Sequence, residues 1–152
     1  MIIQQAKKSD LATILVLQKQ CYQQEAAIYE DYQIPPLVQT IQSIQTDFEQ
    51  QVFLKLVEQE QIIGSVRGYI EKDICKVGRL IVHPDFQNKG YGKQLMKAIE
   101  KEFPTANQFE LFTGHRSIKN LSFYKKLGYQ EFQQQKIHDR LTLVYLKKNF
   151  HK

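Results

Sequence analysis

The sequence has only two cysteines, Cys21 and Cys75, and they stand far apart. Neither belongs to a CxxC pair, and no cluster of His and Cys has the spacing of a structural zinc site. No apolar run approaches the roughly 20 residues of a membrane-spanning helix. The opening residues, MIIQQAKKSD, lack the long apolar stretch of a signal peptide. These absences set the expectation of a reduced, cytoplasmic protein with no metal and no membrane partner. The basic residues form no tract and do not interleave with aromatics, so nucleic acid is not an expected partner either.

What is present is a chain of 152 residues, a one-domain length, expected to fold as a single unit over residues 1–152. Lys plus Arg number 21 against 16 for Asp plus Glu, a formal charge of +5 that suits an anionic ligand. Glutamine is unusually common, at 21 residues, but it is scattered through periodic segments and reads as polar surface.

The periodicity predicts an α+β order, β-α-α-β-β-β-α-β-α-β-β, with about seven strands in a mixed, mostly antiparallel sheet and four flanking helices. Ile2 and Ile3 begin a strand. Ser9 is placed as an N-cap, and Leu11, Ile14, Leu15 and Tyr22 mark a helix to about Gln24. Residues 25–36 show no period and read as a loop ending in Pro35-Pro36. Val38, Ile41, Ile44 and Phe48 mark a second helix. Three strands follow, over 52–58, 62–71 and 74–82, turning at Glu60-Gln61 and Lys72-Asp73 and stopped at His83-Pro84. Tyr91, Leu95, Met96 and Ile99 share a helix face, and residues 108–113 form a strand. A last helix carries Ile118, Leu121, Tyr124 and Leu127, with Gly128 just past its end. Residues 129–137 and 140–148 close the chain as a hairpin.

The most informative run is LIVHPDFQNKGYGKQLM, residues 80–96. A strand ends, a polar turn follows, and Gly90 and Gly92 stand at the start of a helix. Free N–H groups of a helix's first turn face an anion, aided by the helix dipole and here by Lys89 and Lys93. A Walker loop would need glycine at position 87 and a hydroxyl at 94, where Gln87 and Gln94 stand. A dinucleotide fingerprint would need a third glycine at position 95, which is Leu95.

What fits is Q-x-x-G-x-G, Gln87-Asn88-Lys89-Gly90-Tyr91-Gly92, after Leu80-Ile81-Val82 and Pro84. This resembles the acetyl-CoA loop of the GNAT (GCN5-related) N-acetyltransferase family. The segment SIKNLSFYKKLGYQEF, residues 117–132, resembles the family's downstream motif. There, Asn120 stands four residues before Tyr124, one helical turn away, and the helix ends at Gly128-Tyr129. The resemblance covers essentially the whole chain.

The resemblance implies an acetyl-CoA-dependent N-acetyltransferase with a GNAT-like acyl-CoA N-acyltransferase fold. Backbone N–H groups of Asn88 through Lys93, in the loop that Gln87 and Tyr91 belong to, would bind the CoA pyrophosphate. Leu80, Ile81 and Val82 would pair with pantetheine through the main chain, and an N–H there would polarise the thioester carbonyl. Asn120 would hold the CoA arm. Tyr124 would protonate the departing CoA thiolate as general acid. The alternative is a non-catalytic CoA-binding or regulatory module on the same fold.

The acceptor is expected to be a small-molecule amine, and a homodimer is a possible assembly. Glu58, Glu71 or a water chain could take the amine's proton; Glu25, Glu30 and Asp31 lie in the loop that would wall the acceptor site. His115 and His83 are weaker candidates. A cation from Arg67 or Arg79, on adjacent strands, could recognise an acceptor carboxylate, although a strand-face ion pair is the simpler reading.

Overall fold

A computed structural model of the protein describes residues 1–150; the expected span of 1–152 runs two residues further. In chain order the elements are β1 (Ile2–Gln5), α1 (Leu11–Cys21), α2 (Gln23–Tyr29), α3 (Pro35–Val38), α4 (Ile41–Gln50), β2 (Val52–Glu58), β3 (Gln61–Glu71), β4 (Ile74–Val82), α5 (Tyr91–Lys101), β5 (Gln108–Gly114), α6 (Ile118–Lys126), β6 (Gln130–His138) and β7 (Leu141–Asn149). The strands form one seven-stranded sheet in the order β1-β2-β3-β4-β5-β7-β6. Every neighbouring pair is antiparallel except β4 and β5, which the α5 crossover makes parallel. The α+β class and the seven strands are those the periodicity predicts.

The four expected helices are present, and two short ones stand where a loop was expected. α1 stops at Cys21, and the chain bends at Tyr22 and continues as α2. Ala26 and Tyr29, three residues apart on α2, are buried and give it an apolar face. Glu30, in a left-handed conformation at φ 49°, closes it. Two buried residues in seven are too few for a period to show in the sequence. α3 is a single turn opened by Pro35 at its first position.

The capping expectations are corrected. Ser9 lies within a short 3-10 turn over Lys8–Asp10, and the residue preceding α1 is Asp10. The carboxylate of Asp10 accepts the Lys7 backbone N–H at 2.7 Å and pairs with Lys55 at 2.7 Å. The first strand turn falls at Gln59-Glu60, one residue before its expected place. Gln59 and Glu60, like Lys72 and Asp73 in the next turn, all have positive φ, the conformation that two-residue hairpins require.

The two faces of the sheet carry separate cores. Leu56, Val66 and Cys75 join Leu95, Met96 and Ile99 of α5 and Phe109 and Leu146 in one cluster. Leu11, Ile14 and Leu15 of α1, Ile44 of α4 and Phe53 form the other. Beside the second cluster lies a buried cation, Arg67, with 3% exposure. Its guanidinium stacks 4.7 Å from the Phe53 ring centre. It donates to Asp47 at 3.0 Å, Gln18 at 2.8 Å and Gln39 at 3.1 Å. One side chain on β3 thus ties α1, α4 and the α3–α4 connection to the sheet. Removing it leaves Asp47 without its cation and two buried amides short of a donor. We therefore expect Arg67→Ala to cost about 3–5 kcal/mol. That corresponds to a melting temperature lower by roughly 10 °C or more by calorimetry.

Candidate active site

β4 and β5 pair over only three residues each, Ile74–Lys76 against Gln108–Glu110. Beyond them β5 follows β7 all the way from Gln108 to Gly114. β4 follows β3 instead. The two parallel strands therefore part, and a slot opens toward their C-terminal ends. At its closed end the Lys76 ammonium meets the Glu110 carboxylate at 2.8 Å, across the last paired residues.

One lip of the slot is the end of β4 and the turn into α5. The His83 N–H donates to the Ile63 carbonyl on β3 at 2.8 Å. By antiparallel alternation Ile81 also directs its backbone groups to β3, whereas Leu80 and Val82 direct theirs to the slot. The Val82 carbonyl already accepts from the Gln87 amide at 3.0 Å and from the Cys21 thiol at 3.4 Å. Gln87 thus braces the loop against the strand it leaves.

Gly90 then turns the chain at φ 83°, a left-handed position that glycine takes without strain, and caps α5. The first α5 bond runs from Gln94 N to Gly90 O, so the amides of Tyr91, Gly92 and Lys93 have no helical acceptor. A side chain at 92 would crowd the Phe123 ring, and its absence brings this first turn close to α6. Asn88 holds φ 64° in the same loop, and the Lys89 ammonium lies over the Phe86 ring. Such an arrangement of free amides at a helix start is chemically fit for a phosphate.

The other lip is α6. Gly128, at φ 99°, ends the helix with paired bonds from Gly128 N to Lys125 O and from Tyr129 N to Tyr124 O. This fixes Tyr124, whose ring packs between those of Phe123 and Tyr129, with ring centres 5.2 and 6.0 Å away. Among the described residues the Tyr124 hydroxyl bonds to nothing. No sealed side-chain polar atom among them lacks a partner, so this hydroxyl is not closed off from solvent. Burial of the ring, and then the nearby Tyr22 and Glu25, push its pKa well above the usual phenol value.

Beside Tyr124 runs a hydrogen-bond network that joins α6 to α2. The Asn120 amide donates to Glu25 at 3.1 Å and to Thr113 at 3.3 Å. Ser117 donates to the other Glu25 oxygen at 2.6 Å and shares a 2.7 Å bond with the Tyr29 hydroxyl. Ser117 directly precedes α6 but makes no side-chain cap. With both Asn120 amide hydrogens engaged, its carbonyl oxygen is left as the free group.

The carboxylates considered from sequence separate clearly. Glu25 lies in this network. Glu58 accepts from the Tyr91 hydroxyl at 3.1 Å, beside the start of α5. Glu71 pairs with Ile74, at the closed end of the slot and away from Tyr124. Asp31 is bound to His138 at 2.9 Å, and Glu30 is exposed at the end of α2. His115 accepts from the Thr142 N–H and His83 from the Asp85 N–H, so each Nδ1 serves the local backbone.

One participant was not visible in the sequence: Tyr22 read only as part of a helical stripe. Glu25 was among the carboxylates considered, but its contact with Asn120, across 95 positions, was not foreseen. The bend after Cys21 brings both to the slot, and no local pattern announces it. Among the described residues no cluster of metal-ligating side chains occurs, and no helix is long and apolar enough to cross a membrane.

A family model described as an acetyltransferase (GNAT) domain matches residues 17–150. The curated UPF0157 protein YqkA of Bacillus subtilis is 27% identical over 140 residues, covering 91% of this chain and 40% of that protein. The chain thus spans less than half the length of that relative. Among solved structures, smu.2055 of Streptococcus mutans aligns with a TM-score of 0.84 at 17% identity, covering 98% of this chain and 99% of that one. The PaiA N-acetyltransferase of Thermoplasma acidophilum, solved in complex with coenzyme A, aligns at 0.73 and 21% identity, covering 99% and 100%.

Burial raises the Cys21 thiol to about 11 and the Cys75 thiol, which also feels Glu100, to about 12. A rise from 9.0 to about 11 cuts the thiolate fraction at pH 8 by about 100-fold. A thiolate of higher pKa is also the better nucleophile, so titration of the folded protein with an aromatic disulfide reagent at pH 8 is expected to show both thiols reacting more slowly than in denaturant by about tenfold or more.

Proposed function

The chain belongs to the GNAT acetyltransferase family, and we propose that it moves the acetyl group of acetyl-CoA to a primary amine by direct attack. One observation carries this reading. The slot between β4 and β5 has free helix-start amides on one lip and an unpartnered phenol on the other.

In this reading the amides of Asn88 through Lys93, with Lys89 and Lys93, hold the CoA pyrophosphate. Leu80, Ile81 and Val82 form the strand edge along which pantetheine lies. The slot-facing amides of Leu80 and Val82 are the donors for it and for the thioester oxygen. Gln87 keeps that edge in place through the Val82 carbonyl, and Tyr91 closes the loop onto Glu58. The free carbonyl oxygen of Asn120 accepts from an amide of the pantetheine arm, and Glu25 orients Asn120 for that contact.

Acetyl-CoA supplies an activated acyl carbon. The neutral amine attacks that carbon, a C–N bond forms, and the C–S bond breaks. Tyr124 gives its proton to the departing sulfur. The new amide nitrogen loses its proton through water to solvent, which returns one to Tyr124. The products are the N-acetylated amine and free CoA thiol. The raised phenol pKa suits this role, because Tyr124 remains neutral and able to donate. The short, folded 23–38 segment beside the slot fits a small-molecule acceptor better than a docked protein.

Tyr124→Phe should lower thiol release with acetyl-CoA and an amine panel by about 10²-fold. CoA binding by calorimetry should persist in the variant. A fully active variant sinks the general-acid assignment. CoA binding by the parent chain with no turnover on any amine would indicate a binding module instead. The sign of the pH dependence also follows. The rate rises as the amine deprotonates, and Tyr124 imposes no alkaline decline up to about pH 10. A fall well below that pH, absent in the Phe variant, would contradict the assignment.

A further inference from the structure

Arg79 sits where the ladder between β3 and β4 breaks step. Ser65 opposes Ile81 and Arg67 opposes Gly78, so Val66 alone faces both Arg79 and Leu80. This is a β-bulge, and Arg79 takes φ 51° within it. The other non-glycine residues with positive φ lie in turns, in the Asn88 loop or at the end of α2. Among the described residues only Arg79 holds that conformation inside a strand. Gly78, next to it, would have held it at no steric cost.

The bulge also turns the Arg79 side chain away from the α5 face, where Cys75, Val77 and Leu80 pack. It lies half-buried on the α1 side, near Arg67, Asp47 and Tyr22. Arg67 is bound to Asp47, Gln18 and Gln39, and Asp47 also accepts from Gln39 at 2.7 Å. Among the described residues Arg79 has neither an ion pair nor a hydrogen bond, and the Tyr22 hydroxyl likewise has no partner. Both groups therefore open onto accessible space. Cys21, the residue before Tyr22, bonds the Val82 carbonyl on β4, and Glu25, one turn after it, bonds Asn120 on α6, so Tyr22 lies near both the strand that carries Arg79 and the helix that carries Tyr124. Three unpartnered polar groups thus converge beside the slot, and one of them is a cation.

We propose that the acceptor is an amine that also carries a carboxylate, and that the Arg79 guanidinium and the Tyr22 hydroxyl bind that carboxylate while Tyr124 faces the reacting thioester. This rests on the transferase reading given above. A planar guanidinium with free donors matches a carboxylate in a forked pair. A phosphate dianion is less well served, since the second cation is engaged and Asp47 adds negative charge close by.

The test compares L-amino acids and β-alanine with their primary amides as acceptors, with phosphoethanolamine as the phosphate probe. In parallel, N-acetylated amino acids and their amides are titrated into the CoA-loaded protein by calorimetry. For the unmodified chain we expect the acids to exceed the amides by about 30-fold in kcat/KM, mostly through KM, and in affinity. Arg79→Gln should bring the acids down to the amides, and Arg79→Lys should keep part of the difference. If Arg79→Gln fails to fold, Tyr22→Phe carries the test, with an expected loss of about fivefold for acids only. Equal rates for acids and amides, equal losses for both in the variant, or a preference for phosphoethanolamine over β-alanine would each overturn the proposal. If no amine is acetylated but the acids still bind through Arg79, the transferase reading falls and the carboxylate site stands.

Discussion

A parallel strand pair that opens after three residues leaves backbone donors and acceptors without partners on the side where it opens. Buried, each such group costs about 1–3 kcal/mol. The molecule is arranged around this fault. β5 transfers its pairing wholly to β7, and β4 keeps β3. The Val82 carbonyl is met by Gln87 and Cys21. The Lys76–Glu110 pair holds the strands together where pairing ends. What remains on the slot side of Leu80 and Val82 is a strand edge that a ligand can complete. The slot is therefore not a cavity hollowed from a core. It is an interruption in a sheet, and the helices on either side keep it open.

The charge distribution around the slot follows the same logic. Arg67 is buried and bonded to three side chains, and its work is mechanical: it fastens the first helices to the sheet. Arg79 is close by and bonded to nothing described. Two cations at one place repel unless something negative joins them, and Asp47 alone serves the first. The overall charge of +5 thus has an interior contribution as well as the lysines of the α5 loop.

Much of the architecture was legible in the sequence because its signals are local. Gly90 and Gly92 before an amphipathic stripe announce a helix start with free amides. Gly128 after Leu127 announces its counterpart at the end of α6, and the structure has both. The spacing of Asn120 and Tyr124 fixed their shared face. What escaped was everything decided by distant packing. α2 has only Ala26 and Tyr29 to bury, so it read as loop. Glu25 finds Asn120 because of a bend at Tyr22, Glu71 falls at the closed end of the slot because of strand direction, and Glu58 is taken up by the Tyr91 hydroxyl. The Arg79 bulge is hidden because ICKVGRLIV reads as an unbroken alternation. Under that alternation Arg79 would share the face of Cys75 and Val77.

The bulge also imposes a parity on the chain. Before it, the odd-numbered Cys75 and Val77 face α5; after it, the even-numbered Leu80 and Val82 do. Deleting Arg79 would restore an even ladder and leave Leu80 and Val82 on the α5 face, because they would then follow Val77 at steps of two. The loop from Gln87 to Lys93 would still leave the sheet from the same face. The extra residue is thus one that the strand's own pairing does not need. It gives a side chain a place outside the alternation, where exchange changes what the slot accepts and leaves the packing on α5 untouched.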